Sequence, residues 1–226
     1  MSGSLQEGIR LYRQKRWDLA LDELNNVEAE DFDDMESSEL AYYLGLCYTK
    51  LTRYDDALEY LEKVVAAGHD PFRVYQCRMT LAYIYVMTKR SKMAEFELHR
   101  LASNGFESAQ LYCTLAYAAW TQKNFPAAID YYEKALDMDS NNATALNGLG
   151  FILADTDRDT LRGLRYCRKA VDIRPQSAAY LDSLGWAYYK NGDIIEARTW
   201  LRRAAEAGPD EKEIQSHLKA ISAGGQ

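Results

Sequence analysis

The chain has 226 residues, of which 47% are hydrophobic and 27% are charged. This balance is ordinary for a globular protein with a continuous buried core and excludes an intrinsically disordered chain. The net charge of −7 would repel phosphate backbones, so nucleic acid is not expected as a partner. No stretch approaches 18 consecutive apolar residues, and direct membrane insertion is therefore not expected either.

The cysteines and the N-terminus bear on the compartment. Cys47, Cys77, Cys113 and Cys167 are scattered without CxxC spacing. We interpret them as small buried apolar residues in a reducing compartment, not as a disulfide framework or a metal site. The unpaired cysteines favour the cytoplasm, and the N-terminus shows no charged-then-apolar signal segment. The alternative is the periplasm or the cell envelope, if a targeting segment has been removed.

A pattern of small residues recurs six times along the chain. The first marker of each repeat is a glycine or alanine: Gly8, Gly45, Ala82, Ala116, Gly150 and Gly185. Twelve residues further lies a second small residue, with repeat five one residue late: Ala20, Ala57, Ala94, Ala128, Gly163 and Ala197. A large residue stands sixteen after the first marker in five repeats: Leu24, Leu61, Leu98, Tyr132 and Leu201. Small residues leave space where two helices cross closely, so the pattern predicts stacked helical pairs.

The predicted elements are twelve antiparallel helices followed by one C-terminal helix, in a single domain over residues 1–226. We place the helical pairs, in chain order, at about 1–34, 38–71, 75–108, 109–142, 143–177 and 178–209, with a capping helix over 210–222. Pro175 and Pro209 close two of the pairs, at positions where a helix must stop. The turn between paired helices is short, as in 190–193, where Gly192 is free to adopt a left-handed conformation.

Two segments carry a family resemblance. "AYLDSLGWAYYKNGDIIEARTWLRRAAEAGP" (179–209) and "QLYCTLAYAAWTQKNFPAAIDYYEKALDMD" (110–139) resemble tetratricopeptide repeats, whose pattern is W-x2-L-G-x2-Y, then A-x3-F-x2-A, then P. Residues 145–175 are similar to a variant common in bacterial members. The resemblance implies an all-α fold, a right-handed α-solenoid of six helix–turn–helix repeats with a capping helix. It also implies a non-enzymatic scaffold for protein–protein interaction.

The sequence offers no catalytic, metal or cofactor constellation. His69, His99 and His217 have no histidine or cysteine within four residues, and we interpret them as surface or boundary residues. The carboxylates of residues 28–36 lack the spacing of a calcium loop and indicate a solvated acidic loop. The G-x-G of "NGLGF" (147–151) lies inside a predicted helix and indicates helix packing, not a nucleotide site. We therefore predict that the protein is not an enzyme and needs no metal or cofactor.

The resemblance also places a candidate binding surface. In this family the first helix of each repeat lines the concave side, and three positions relative to the first marker face inward. Here most of those positions hold large apolar or aromatic residues. The candidate groove residues are Ile9, Tyr12, Tyr42, Leu46, Met79, Tyr83, Tyr117, Trp120, Asn147, Phe151, Trp186 and Tyr189. The Lys and Asn residues that grip a terminal carboxylate in one subclass are absent, so we expect a protein or peptide partner with an apolar or amphipathic segment.

Three other interpretations remain open at this stage. The inward residues could be additional core or a self-filled interior. The chain could be a self-associating structural protein, a homo-oligomer that stacks through its N-terminal repeat or exchanges the 28–39 loop, and its mass in solution across concentrations would show this. A helical-repeat RNA reader is disfavoured by the acidic net charge and the aromatic inward set.

Overall fold

The computed structural model describes residues 4–30 and 32–223, and over these ranges it contains thirteen α-helices and no β-strand. The predicted all-α repeat fold is confirmed. Met1–Gly3 and Asp31, the latter within the predicted acidic loop, lie outside the described residues. The helices are α1 (Leu5–Arg13), α2 (Trp17–Asn25), α3 (Asp34–Lys50), α4 (Tyr54–Ala67), α5 (Pro71–Met87), α6 (Ser91–Ser103), α7 (Ala109–Thr121), α8 (Phe125–Met138), α9 (Ala143–Asp155), α10 (Thr160–Ile173), α11 (Ala178–Lys190), α12 (Ile194–Ala207) and α13 (Lys212–Ala223).

The chain divides into two compact units, Met1–Phe106 and Glu107–Gln226. Unit 1 holds the helical pairs α1–α2, α3–α4 and α5–α6. Unit 2 holds α7–α8, α9–α10 and α11–α12, and also the C-terminal helix α13. A single domain over 1–226 stays a prediction.

Close approach of paired helices explains the first glycine marker. A Cβ atom placed on Gly8 would lie 2.5 Å from Leu24 Cδ2, and one placed on Gly185 would lie 2.7 Å from Leu201 Cγ. Both leucines are at most 1% exposed. The leucine sixteen residues after the marker therefore fills the space that the missing side chain leaves, and a larger marker residue would force the two helices apart.

The fifth repeat uses two glycines at its crossing. A Cβ atom on Gly150 would lie 2.9 Å from the Gly163 carbonyl oxygen, and one on Gly163 would lie 2.7 Å from the Gly150 carbonyl oxygen. The backbones of α9 and α10 thus touch directly at this point. Gly163, which stands one position later than the second small residue of the other repeats, therefore still lies at the crossing.

Each helical pair is joined by a turn with one residue in the left-handed conformation. This residue stands seven positions after the first marker in all six repeats: Lys15, Thr52, Lys89, Lys123, Asp157 and Gly192, with φ between 53° and 91°. The following amide donates back to the first helix, as from Arg53 N to the Tyr48 carbonyl oxygen over 2.9 Å. The sequence predicts a left-handed residue at Gly192 only, because glycine alone adopts this conformation readily. In the other five turns the residue has a Cβ atom, and the tertiary contacts impose the conformation on it.

All four cysteines are free and buried. Burial raises the pKa of the Cys47, Cys77 and Cys113 thiols to about 12, since an apolar environment disfavours the thiolate. Burial raises the Cys167 pKa in the same direction. The interpretation of these residues as small apolar core residues agrees with their placement.

Overpacking a helix crossing should destabilise the fold. Ala57 is 0% exposed at the second small position of α4, whereas Ala66 of the same helix is exposed. We expect Ala57→Leu to lower the free energy of unfolding by about 1–3 kcal/mol, because the added atoms must displace packed neighbours. Ala66→Leu is the matched control and should leave the urea midpoint nearly unchanged. Equal midpoints for the two variants would show that the register of the repeats is wrong.

The left-handed turn residues predict a stabilising substitution. Thr52 has a φ of 59°, a region that is strained for a β-branched residue. Thr52→Gly should raise the free energy of unfolding by about 1 kcal/mol, because the strain is released for a smaller entropic cost. Thr88, whose φ is −92° just before the next left-handed residue, gives the control: Thr88→Gly should destabilise. Thermal unfolding measures both, and a lower midpoint for Thr52→Gly would contradict the assignment of strain.

Candidate functional site

Two of the predicted groove residues of unit 1 belong to its core. Ile9 is 4% exposed and Tyr42 is 8% exposed. The Tyr42 hydroxyl donates a hydrogen bond to Gln76 of α5, and the Arg73 guanidinium lies 5.5 Å from the centre of the Tyr42 ring. Burial raises the pKa of Tyr42. The Tyr42 side chain therefore links α3 to α5 and has little surface left for a ligand.

The other four candidates of unit 1 are more accessible. Tyr12, Leu46 and Met79 are partly buried, and Tyr83 is 46% exposed. The Tyr83 ring meets Tyr54 edge to face, with ring centres 6.5 Å apart. Unit 1 thus presents isolated apolar contacts beside a well-packed core.

Unit 2 brings five of its six candidate residues into one aromatic row. The rings of Tyr117 and Trp120 stack with centres 5.5 Å apart, and Trp120 meets Phe151 edge to face at 6.2 Å. At the other end Trp186 and Tyr189 have ring centres 5.0 Å apart. We call these five residues, together with His217, the aromatic row. Inward positions of α7, α9 and α11 therefore converge on one surface.

His217 of α13 joins the two ends of the row. Its ring stacks on Trp186 at 4.1 Å and lies 6.3 Å from the centre of Phe151. Its Nδ1 atom is 2.9 Å from an Asp182 carboxylate oxygen, and the Asp182 residue is only 5% exposed. Helix α13 consequently covers Trp186, so this part of the predicted groove is filled by the chain itself.

An open pocket remains between the uncovered rings and the start of α13. Its volume is about 260 Å³. Four predicted groove residues line it, and the remaining walls come from α8, α9, α11 and the start of α13 with the residue before it. The lining residues are Tyr117, Trp120, Tyr132, Asn147, Gly148, Phe151, Ile152, Ala179, Asp182, Ser183, Glu211, Glu213 and Ile214.

The inner wall of this pocket depends on a tyrosine and a glycine. Tyr132 occupies the position that holds leucine in four other repeats, and it is 4% exposed. A Cβ atom on Gly148 would lie 2.2 Å from Tyr132 Cζ, so only glycine leaves room for the ring. Burial raises the pKa of Tyr132. The G-x-G of this helix is therefore a packing feature, as predicted. Next to Gly148, the Asn147 Oδ1 atom is buried and accepts no hydrogen bond from the described residues.

Carboxylates dominate the electrostatics around the pocket. Burial raises the pKa of Glu213, and the neighbouring Asp182, Asp155 and Glu211 raise it further, while His217 acts in the opposite direction. Asp155 accepts a hydrogen bond from the Trp186 indole nitrogen over 2.8 Å. The site is therefore an aromatic surface bordered by acidic groups.

Sequence reasoning missed the polar half of this site. Asp182 stands at an inward position of the last repeat, where a charged residue indicates a buried partner, but nothing in the local sequence identifies His217, 35 residues later, as that partner. Glu213 was assigned to a capping helix, whose contact with the groove only the tertiary structure shows. The repeat pattern identifies Tyr132 only as one of the large residues sixteen after the first marker, without its consequence for Gly148.

Neither a metal centre nor a membrane span is found within the described ranges 4–30 and 32–223. No group of three or more His, Cys, Asp or Glu residues there is arranged to hold a metal ion. No helix there is long and apolar enough to cross a membrane.

Comparisons with known proteins identify the family. A tetratricopeptide-repeat sequence profile matches residues 5–71 and 113–178, and a second profile of the same description matches residues 177–207. The chain belongs to the tetratricopeptide repeat family. Proteins of this family are generally protein–protein interaction scaffolds, and the fold is typically non-catalytic.

Individual relatives match limited parts of larger proteins. A TPR repeat-containing protein of Pseudomonas aeruginosa is 38% identical over 78 residues, which is 34% of this chain and 13% of that protein. The human protein O-mannosyl-transferase TMTC1 is 24% identical over 187 residues, which is 81% of this chain and 21% of that protein. The chain spans 13% to 37% of the length of such curated relatives.

Solved structures agree on the fold. The structure of Pseudomonas aeruginosa PilF matches with a TM-score of 0.73 at 16% identity, and the match covers 96% of this chain and 95% of that one. At this identity the likeness extends to the fold alone.

The Asp182–His217 contact should hold α13 in place. We expect His217→Ala to destabilise the docked helix by about 1–3 kcal/mol, because the substitution leaves a buried carboxylate without its partner. Hydrogen exchange of the α13 amides, followed by mass spectrometry, should become faster. His69→Ala, at an exposed histidine before α5, is the control and should change nothing. Unchanged exchange in α13 would show that apolar contacts alone dock this helix.

Proposed function

We propose that the chain is a non-enzymatic scaffold that binds an apolar or amphipathic polypeptide segment at the uncovered part of the aromatic row in unit 2. The observation that carries this proposal is the open pocket bordered by Tyr117, Trp120 and Phe151. The general role of the family supports it. Binding of this kind requires no cofactor.

The chemistry of the uncovered rings suits such a ligand. Tyr117 is 42% exposed, and its ring stacks on Trp120, so a ligand would meet a preformed aromatic surface. Rigid aromatic side chains lose few rotamers on binding and bury a large apolar area, and tryptophan and tyrosine are enriched among the residues that carry most of the energy of protein interfaces. Trp120 contacts both Tyr117 and Phe151 and is therefore the expected centre of the binding surface.

The position of α13 limits where the segment can lie. His217 stacks on Trp186, so a ligand reaches that face of the Trp186 ring only if α13 moves. The proposed binding surface is consequently the α7–α9 part of the row, and it excludes the two aromatic residues of α11 that the sequence alone favoured equally.

Selection from a phage-displayed random peptide library, with the whole chain as bait, tests this function. We expect Trp120→Ala to weaken the selected peptides by about 1–3 kcal/mol, roughly 5-fold to 150-fold in Kd, since the substitution removes the central ring. Fluorescence anisotropy with labelled peptides measures the change.

Trp200→Ala is the matched control. Trp200 is a partly buried tryptophan on α12 whose ring lies 4.4 Å from the Arg203 guanidinium, and it does not line the pocket. This variant should bind the selected peptides as the wild type does. Peptides that ignore Trp120→Ala but lose affinity with Trp200→Ala would place the binding surface on the second helices of the repeats and refute the proposal.

A further inference from the structure

We infer that the pocket of unit 2 accepts a positively charged side chain, lysine or arginine, of the bound polypeptide; this rests on the proposed function and names the chemistry of its ligand. The set of side chains around the pocket is more specific than an apolar surface alone requires. It combines four aromatic rings with three carboxylates, from Asp182, Glu211 and Glu213.

The charge of the lining has one sign. The thirteen lining residues include three acidic side chains and no lysine, arginine or histidine. Asp182 is engaged by His217, but Glu211 and Glu213 form no ion pair with any described residue. Lys190 at the end of α11 does not neutralise these carboxylates, since it pairs with Asp157 over 2.8 Å. Even with His217 protonated, the pocket and its border therefore keep a negative charge that a ligand cation would balance.

The aromatic side of the pocket also favours a cation. The faces of tryptophan and tyrosine rings attract ammonium and guanidinium groups, tryptophan most strongly. Tyr117 and Trp120 stack at 5.5 Å with an angle of 28° between their planes, and both residues line the pocket. Carboxylates and aromatic rings in the lining of one pocket provide both parts of a site for an N–H-rich cation.

An unused acceptor lies in the same pocket. The Asn147 Oδ1 atom is buried and receives no hydrogen bond from the described part of the chain. The Ser183 hydroxyl is already used, since it donates to the Ala179 carbonyl oxygen over 2.9 Å. A lysine ammonium carries three N–H donors and an arginine guanidinium carries five, and neither has an acceptor that would oppose the carboxylates.

The size of the pocket and the burial of Glu213 also favour one cationic side chain as the ligand group. A volume of about 260 Å³ is below the usual range for a drug-sized molecule and suits one long side chain. Burial raises the pKa of Glu213, which means that the surroundings of this carboxylate disfavour its negative charge. A ligand cation beside Glu213 would restore a favourable environment for that charge.

Synthetic peptide pools, randomised except for one fixed central residue, test the inference. The fixed residue is lysine, arginine, norleucine or glutamate, where norleucine keeps the aliphatic length of lysine without its charge. We expect the lysine and arginine pools to bind the wild-type chain about fivefold more tightly than the norleucine pool. Glu213→Gln should reduce that ratio at least about twofold, because it removes one carboxylate of the pocket while keeping its shape.

Glu206→Gln is the matched control. Glu206 is an exposed carboxylate of α12 that does not line the pocket, and its substitution changes the net charge by the same amount. It should leave the ratio of lysine to norleucine unchanged. An equal loss with Glu206→Gln and Glu213→Gln would mean general attraction to an acidic protein and would overturn the inference.

The outcomes separate the inference from the function on which it rests. Norleucine binding as tight as lysine binding, with both abolished by Trp120→Ala, overturns the cation site and leaves peptide binding at the aromatic row intact. If no pool shows binding that depends on Trp120, the proposed function itself fails and the inference fails with it. A preference for the glutamate pool would overturn the inference alone.

Discussion

The close crossing of the two helices in each repeat is the constraint on which the rest of the structure depends. A leucine sixteen residues after a glycine marker occupies the space beside that glycine. A Cβ atom added to Gly185 would lie 2.7 Å from Leu201, so there is no room for a side chain at the marker. Because each crossing fixes the rotation of its first helix, it also fixes which residues of that helix face inward. The positions of Trp120, Phe151 and Trp186 are thus consequences of packing at small residues of the same helices.

The same periodicity explains why the fold was predictable from the sequence and why some of its details were not. The existence of the helices and their pairing follow from small residues that recur at a nearly constant spacing, and the helices of the structure agree with this prediction. The turns are different. Thr52 and Lys123 give no local indication of a left-handed backbone, yet both adopt it, because a short turn between two fixed helices admits few other paths. Here tertiary geometry overrides a residue preference that alone would point elsewhere.

The candidate site shows a similar division. The inward aromatic residues of unit 2 were predictable because they sit one or four residues after a recognised marker. Tyr42, three residues before its marker, was not recognised as core because its side chain meets Gln76 and Arg73 of the next first helix. The polar part of the site could not be predicted at all. It depends on α13 lying against α11, and the contact of His217 with Asp182 spans 35 residues. Pattern reasoning within one repeat cannot detect a contact that occurs once in the chain.

Helix α13 does more than cover an apolar end. Ile214 and Ile221 are at most 2% exposed and lie seven residues apart, so they provide the apolar stripe that any capping helix needs. An apolar stripe alone tolerates small rotations of a helix about its axis. The Asp182–His217 contact does not tolerate such rotations, since a rotated helix would leave a buried carboxylate without a partner. A well-packed apolar pair could have supplied comparable stability. We therefore infer that this polar contact serves geometry more than stability. It fixes the rotation at which Glu213 and Ile214 join Trp120 and Phe151 in lining the pocket, so that α13 supplies part of the pocket wall.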